Sequence, residues 1–273
     1  MPTDNTSRPV VLVTRPRHQT EELGALIVAM GAEVIHFPVL EIVSLPPAKA
    51  TTELIDDLRS VDIVIFVSAN AVEQGDARVR NQLGKWPAQL QFAVVGRSSA
   101  RVLARVGLQA NICPEHHFNT EALLALPTMQ QVKNKRIVIF RGQGGREKLA
   151  LELRRRGATV DYAEVYRRQR PNVDLSQLRQ SGVLSRVGAI IIASNESLQN
   201  LYDMAASIDR DWLLNTPLAV ISHRCAELAD RLGFRHYNIA SEASNQGLLE
   251  AVQQYIGKAP LAHPPESGND RTR

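Results

Sequence analysis

Short apolar runs recur along the chain, each closed by a polar or glycine-containing turn and followed by a longer segment with helical spacing. They are VVLVT at 10–14, DIVIFV at 62–67, QFAVV at 91–95, RIVIF at 136–140, GAIIIA at 188–193 and PLAVI at 217–221. A short run that is apolar throughout, rather than alternating, predicts a strand covered on both faces, and such strands separated by helices predict parallel sheets. The expected class is α/β and doubly wound.

The pattern also repeats. When LVTRPRHQTEELGALIVAMGAEV is set above VIFRGQGGREKLALELRRRGATV, Arg15 meets Arg141, Glu21 meets Glu147 and Gly31-Ala32 meets Gly157-Ala158, an offset of 126 positions (141 − 15 = 126). Without a gap, the same offset brings Ser68 to Ser194, Trp86 to Trp212, Ala93-Val94 to Ala219-Val220 and Asn119 to Asn245. The reading is an internal duplication giving two similar α/β domains around a common cleft. Ligands of open parallel sheets bind beyond the carboxyl ends of the strands. Those ends read TRPRHQ and FRGQGG, VSAN and ASNE, VGRSS and ISHRC, rich in hydroxyls, amides and arginines and poor in acids.

The turn RGQGGRE after the strand at 136–140 poses the main chemical choice. A dinucleotide fingerprint needs a third glycine where Glu147 stands, and no P-loop lysine follows. The sister turn TRPRHQ has no glycine at all. What the two share is an arginine at a strand end, Arg15 or Arg141, beside a helix start, which suits a carboxylate as well as a phosphate. Gly142 is read as opening the main chain to such a carboxylate, with Arg146 close by. Ser68 and Asn70, like Ser194 and Asn195, stand where a strand gives way to a helix; they are helix caps, anion holders, or both. Ser99 in the third turn, VGRSS with Gly96 and Arg97, falls at the position of Cys225 in its sister ISHRC, with the same ambiguity; Cys225 reads as a small packed residue rather than a nucleophile, and His223, which with Ser222 directly follows a strand, reads as a cleft-edge residue. Tyr166, in a segment read as extended from about residue 158, falls opposite Leu40 of the other repeat. It is either a wet-edged strand residue or a phenol that donates to a leaving hydroxyl.

Composition narrows this further. The 273 residues carry 32 Lys+Arg against 28 Asp+Glu, a net charge of +4, which favours an acidic small molecule over a nucleic acid. Arg154-Arg155-Arg156 reads as solvated helix charge. Only Cys113 and Cys225 occur, with no metal-ligand spacing around them, around His116-His117 or around His223, so neither a disulfide framework nor a metal is expected. No GxSxG elbow is present. MPTDNTSRP lacks a signal pattern and no run is long enough to span a membrane; a cytoplasmic protein is expected, with a disordered Pro-rich tail at 258–273.

Taken in order, LVTRP, the Gly31 to Pro38 stretch, IFVSANAV, AVVGRSSA, FRGQGGREKLA and Gly157-Ala158 followed by VYRR around Tyr166 resemble the uroporphyrinogen-III synthase family, from about Pro9 to Ile256. The resemblance implies a cofactor-free cyclising lyase acting as a monomer on the linear polycarboxylate hydroxymethylbilane. It implies loss of the substrate's hydroxyl to give an azafulvene, attack by the far ring through its substituted carbon to give a spiro intermediate, and reclosure with that ring inverted. Carried over by position, Tyr166 matches the family's tyrosine that assists departure of the hydroxyl, and Ser68 and Ser194 match cleft serines. Ser99 stands where relatives carry a hydroxyl. ISHRCA departs from the Gly-Pro-Thr-Thr-Ala of many relatives, so Ser222 or His223 stands in for a threonine. The implied fold is two flavodoxin-like domains, 9–38 plus 171–257 and 44–165, joined by a two-stranded connector at about 33–45 and 158–170. The N-terminal strand-helix-strand piece would then join the C-terminal half. A two-lobed, non-catalytic binding protein for an acidic small molecule is the competing reading.

Overall fold

Two of the apolar runs, VVLV and IVIF, are buried along their entire length because their strands have apolar neighbours on both sides. In a computed structural model, which describes residues 8–16, 20–173, 182–205 and 210–256, ten strands are formed. They are β1 (Val10–Val13), β2 (Glu33–His36), β3 (Glu41–Ser44), β4 (Ile63–Phe66), β5 (Gln91–Val94), β6 (Arg136–Gly142), β7 (Thr159–Gln169), β8 (Val187–Ile192), β9 (Leu218–Val220) and β10 (Tyr237–Ile239). Residues 17–19 of the turn TRPRHQ and the tail at 258–273 lie outside the described residues.

The strands make two five-stranded sheets in an α/β fold, ordered β10-β9-β8-β1-β2 and β3-β7-β6-β4-β5. In the first, β1 pairs in parallel with both β2 and β8, and β9 with β8 and β10. In the second, β4 pairs in parallel with β5 and β6, and β6 with β7. Pairing follows burial rather than chain proximity: Thr14, fully buried at the end of β1, donates its hydroxyl to Ile191 O at 2.7 Å across 177 positions. The chain divides into two units, one made of residues up to Glu41 together with those from Arg170 onward, the other of Ile42–Gln169.

Strand periodicity builds a core on each face of each sheet. In β4, Ile63 and Ile65 join one cluster while Val64 and Phe66 join another. Phe66 packs on Phe140 of β6 with ring centroids 5.3 Å apart, and on Trp86 in an edge arrangement at 5.8 Å. The indole N–H donates to Asp76 at 2.8 Å, and Arg80 balances that buried carboxylate, so the cluster holds no orphaned polar group.

Strands occupy both segments read as a connector. Within 33–45, β2 is an edge strand of the first sheet and β3 of the second. Within 158–170, β7 is an 11-residue strand paired with β6 from Arg136↔Thr159 to Gly142↔Tyr166. A long strand is retained here because ladder hydrogen bonds satisfy its backbone.

Candidate active site

The β6–β7 ladder runs in step as far as Arg141↔Glu164 and then skips a residue, so that Gly142 faces Tyr166. This bulge changes which way Tyr166 points. Before it, Val160 and Tyr162 face one apolar cluster and Ala163 the other, which Val165, the skipped residue, also joins. After it, Tyr166 follows Val165 into the cluster of Phe66 and Phe140 instead of alternating away. Bulges of this kind re-aim side chains beside functional sites.

Tyr166 is 1% exposed, so the wet-edged reading of this residue is corrected: its ring is core. The ring lies over Gly142, where an added Cβ would come within 2.6 Å of Cε2. The structure gives a reason of its own for glycine at this position, since the missing side chain is the space the phenol occupies. The N–H of Gln143 donates to Tyr166 O at 2.8 Å, fixing the turn to the same residue. The Tyr166 hydroxyl lies 3.0 Å from Ser68 Oγ, and Ser68 Oγ accepts from Ala71 N at 3.1 Å as the N-cap of the helix Ala69–Leu83. One serine thus holds a helix and the phenol together. Ser68→Ala is expected to lower stability by about 1 kcal/mol through the lost cap, read from denaturant unfolding, whereas Ser68→Thr should restore most of it.

Beyond these strand ends lies a cavity of about 400 Å³ whose lining includes Arg141, Gly142, Arg146, Tyr162, Tyr166 and Arg168. It brings together four of the sequence-read residues, Arg141, Gly142, Arg146 and Tyr166, with Ser68 reaching it through the phenol. Arg146 and Arg168 are exposed.

Arg141 is already paired within the protein. Its side chain is 8% exposed and already faces two carboxylates, donating from Nη1 to Glu147 at 2.8 Å and from Nε to Glu164 at 3.2 Å. Its guanidinium stacks 3.9 Å from the centre of the Tyr162 ring, and the Tyr162 hydroxyl donates to the other oxygen of Glu147 at 2.7 Å. Burial depresses the Arg141 pKa, but the bond to Glu147 and its charge outweigh this and raise it. Burial, followed by the bond to Glu147, pushes the Tyr162 phenol to about 12, while Tyr162 and then Arg141 hold the Glu147 carboxyl below its ordinary value. The turns are thus less poor in acids than their sequence suggests, and Arg141 does not offer an unopposed charge to a ligand. Tyr162 and Glu164 are absent from the sequence reading. The strand alternation that places Tyr162 and Glu164 two apart on β7 is the signal that could have found them.

The other candidates are not among the residues that line this cavity. Ser194 caps the helix Asn195–Met204, accepting from Ser197 N at 3.0 Å, and Asn195 donates to Arg224 O at 3.2 Å. Ser222 caps the helix His223–Leu232, accepting from Cys225 N at 3.4 Å, with His223 exposed on its first turn. Asn70 is half-buried in the first turn of the helix that Ser68 caps. Arg15 donates to Asn245 at 2.7 Å, and Asn245 in turn donates to Glu22; burial lowers the Arg15 pKa and the charge of Glu22 opposes this. Gly96 caps the helix Arg97–Arg105, and exposed Arg97 lies 4.9 Å over the ring of Phe118. Ser99 is buried and packs inward like Cys225, and Ser98 is the exposed hydroxyl of that turn. Among the described residues no group of His, Cys, Asp and Glu is placed to hold a metal, and no helix is long and apolar enough to cross a membrane.

Comparison with known proteins gives a consistent result. A family model described as "Uroporphyrinogen-III synthase HemD" matches residues 21–250. The chain is 33% identical over 247 residues to the uroporphyrinogen-III synthase of Escherichia coli (strain K12), covering 89% of this chain and 99% of the relative. It is 31% identical over 261 residues to that of Synechococcus elongatus, covering 90% and 94%. Two solved structures share the fold. A mutant uroporphyrinogen III synthase from Thermus thermophilus aligns with TM-score 0.58 at 18% identity over 91% of this chain and 98% of that one. Uroporphyrinogen-III synthetase from Helicobacter pylori aligns with TM-score 0.59 at 14% identity over 90% and 99%. On the strength of the family match and the length over which these relatives align, the chain belongs to the uroporphyrinogen-III synthase family.

Proposed function

We propose that the cavity at the ends of β6 and β7 is where this enzyme, a cyclising lyase of tetrapyrrole biosynthesis, loosens the hydroxyl of hydroxymethylbilane, with Tyr166 as the donor. The observation that carries the reading is the aim of the Tyr166 phenol, set by the β7 bulge and by the missing side chain at Gly142. The phenol O–H donates to the departing hydroxyl as the carbon–oxygen bond breaks. Water leaves with that proton, and the azafulvene takes up the electron deficiency. Ser68 supports the phenol oxygen, and the proton returns when the closed ring rearomatises. A buried donor on an apolar bed is suited to this step, since a hydrogen bond made away from water is stronger. Arg146 and Arg168, exposed on the cavity wall, are positioned for the substrate's carboxylates. Arg15, Arg97, Asn70, Ser194, Asn195, Ser222 and His223 are proposed as further contacts at other strand ends.

We read the two units as flavodoxin-like halves of a duplication. In the first, the strand order β2-β1-β8-β9-β10 is 2-1-3-4-5 when each strand is numbered by its place in the unit. The second sets the strands 126 positions away in the same spatial order, β7-β6-β4-β5 followed by the bridge Ala93↔Ile112, with β3 outside, but its chain enters that order at β4, so by place in the unit it reads 5-4-1-2-3. Ala219↔Asn238 in the first lies 126 positions beyond that bridge at both residues (219 − 93 = 238 − 112 = 126). The reading takes one chain as the working unit, without a resident cofactor, in the cytoplasm, in keeping with two unpaired cysteines.

The test is to supply hydroxymethylbilane and separate the uroporphyrinogen isomers after oxidation. The type III isomer should predominate and rise with enzyme concentration. A type I product at every concentration overturns the reading and restores the non-catalytic binding protein.

A further inference from the structure

Arg141 is the last residue but one of β6, and Glu147 ends the turn that follows, as the residue that starts the helix Lys148–Arg155. Between them the backbone wraps the arginine: a Cβ on Gly145 would lie 3.5 Å from Arg141 Nε, and Gly144 takes φ +74°. Residues 143–147 are exposed, so little packing holds their course. What holds it is polar: Glu147 receives Arg141 Nη1–H on one oxygen and Tyr162 O–H on the other, at 2.8 and 2.7 Å. The near end of the same turn is fastened to Tyr166, through Gly142 under the ring and Gln143 N–H on the carbonyl. Glu147 is absent from the cavity lining although both of its partners are in it.

We propose that Glu147 is a positioning residue for the catalytic phenol: by joining Arg141 to Tyr162 it closes the 142–146 turn and so presses Gly142 against the Tyr166 ring. This rests on the reading of Tyr166 given above. It also accounts for a buried arginine with two acidic partners at a site that takes a polycarboxylate. Glu164 neutralises Arg141, while Glu147, whose side chain is 51% exposed, secures the loop. Because Glu164 remains when Glu147 is altered, no buried charge is stranded and the variant should fold.

The experiment compares the intact chain with Glu147→Gln and Tyr162→Phe, following type III formation from hydroxymethylbilane. A loosened turn should lower kcat on the order of tenfold in Glu147→Gln, and less in Tyr162→Phe, with KM changed by no more than about twofold. In parallel, ring-13C tyrosine NMR, with the Tyr166 signal assigned by its loss in Tyr166→Phe, should show that signal displaced in Glu147→Gln. An unchanged kcat overturns the proposal. So does a fall in KM at constant kcat, which would make Glu147 a competitor of substrate carboxylates rather than a support. Should the wild-type chain form no type III isomer, the functional reading fails, and the NMR arm alone decides: an unmoved Tyr166 signal then overturns the coupling.

Discussion

Replacing Tyr166 with Phe should slow formation of the type III isomer by about a hundredfold, the low end of what a positioned proton donor contributes. The ring stays in place, because its burial among Phe66, Phe140 and Val165 does not depend on the hydroxyl. What is lost is one hydrogen bond to Ser68, worth about 1 kcal/mol, and Ser68 keeps its bond to Ala71 N as helix cap. Stability should therefore fall little while turnover falls greatly. The remaining product should drift toward the type I isomer, since a bilane that waits closes without inversion. Steady-state rates, isomer separation and a thermal melt on the same preparation check all three. Turnover within a few-fold of the wild type would remove the phenol from the mechanism.

Gly142→Ala is expected to be nearly as damaging without touching a reactive group. Its Cβ would sit 2.6 Å from Cε2 and 2.7 Å from Cζ of Tyr166, closer than such atoms come, and the ring is enclosed. Either β6 or the ring must move. Overpacking of this kind costs about 1–3 kcal/mol, and a phenol displaced by an ångström costs on the order of a hundredfold in rate. Gly144→Ala is the comparison: it meets nothing within 4 Å but must hold φ +74°, so it should lose about 1–2 kcal/mol of stability, and because it strains the same turn from a distance its turnover should fall by no more than about the tenfold expected of Glu147→Gln. Equal rates for the two alanine variants would contradict the claim that Gly142 exists to seat Tyr166.

The contrast between what the sequence shows and what it hides follows from range. Apolar runs such as VVLVT announce β1 and its double burial directly, because a strand buried on both faces has no reason to alternate. Ser68, Ser194 and Ser222 are legible as caps because capping is local. Helix phase is less legible: Ser98 and Ser99 are adjacent hydroxyls, and only the start of the helix after Gly96 decides that Ser99 turns inward. The partners of Arg141 were hidden for a different reason. Glu147 meets it only because the glycine turn folds back, and Glu164 only because β7 lies beside β6 in that register. The bulge left no distinct trace, because Tyr162-Ala163 is a second adjacent apolar pair in the same strand, and Val165-Tyr166 gains meaning only once Gly142 is seen beneath the ring.

If the work of Tyr166 is to help a hydroxyl leave, that work should become dispensable when the group can depart unaided. The direct measurement is the rate of type III formation from a bilane whose terminal hydroxyl is replaced by an acetate ester, which leaves as carboxylate without taking a proton, with wild type and Tyr166→Phe side by side. The account predicts that the gap of about a hundredfold expected with the hydroxyl substrate shrinks to within a few-fold. An undiminished gap would contradict it, showing that the phenol serves the folding or closure of the chain rather than departure of its leaving group.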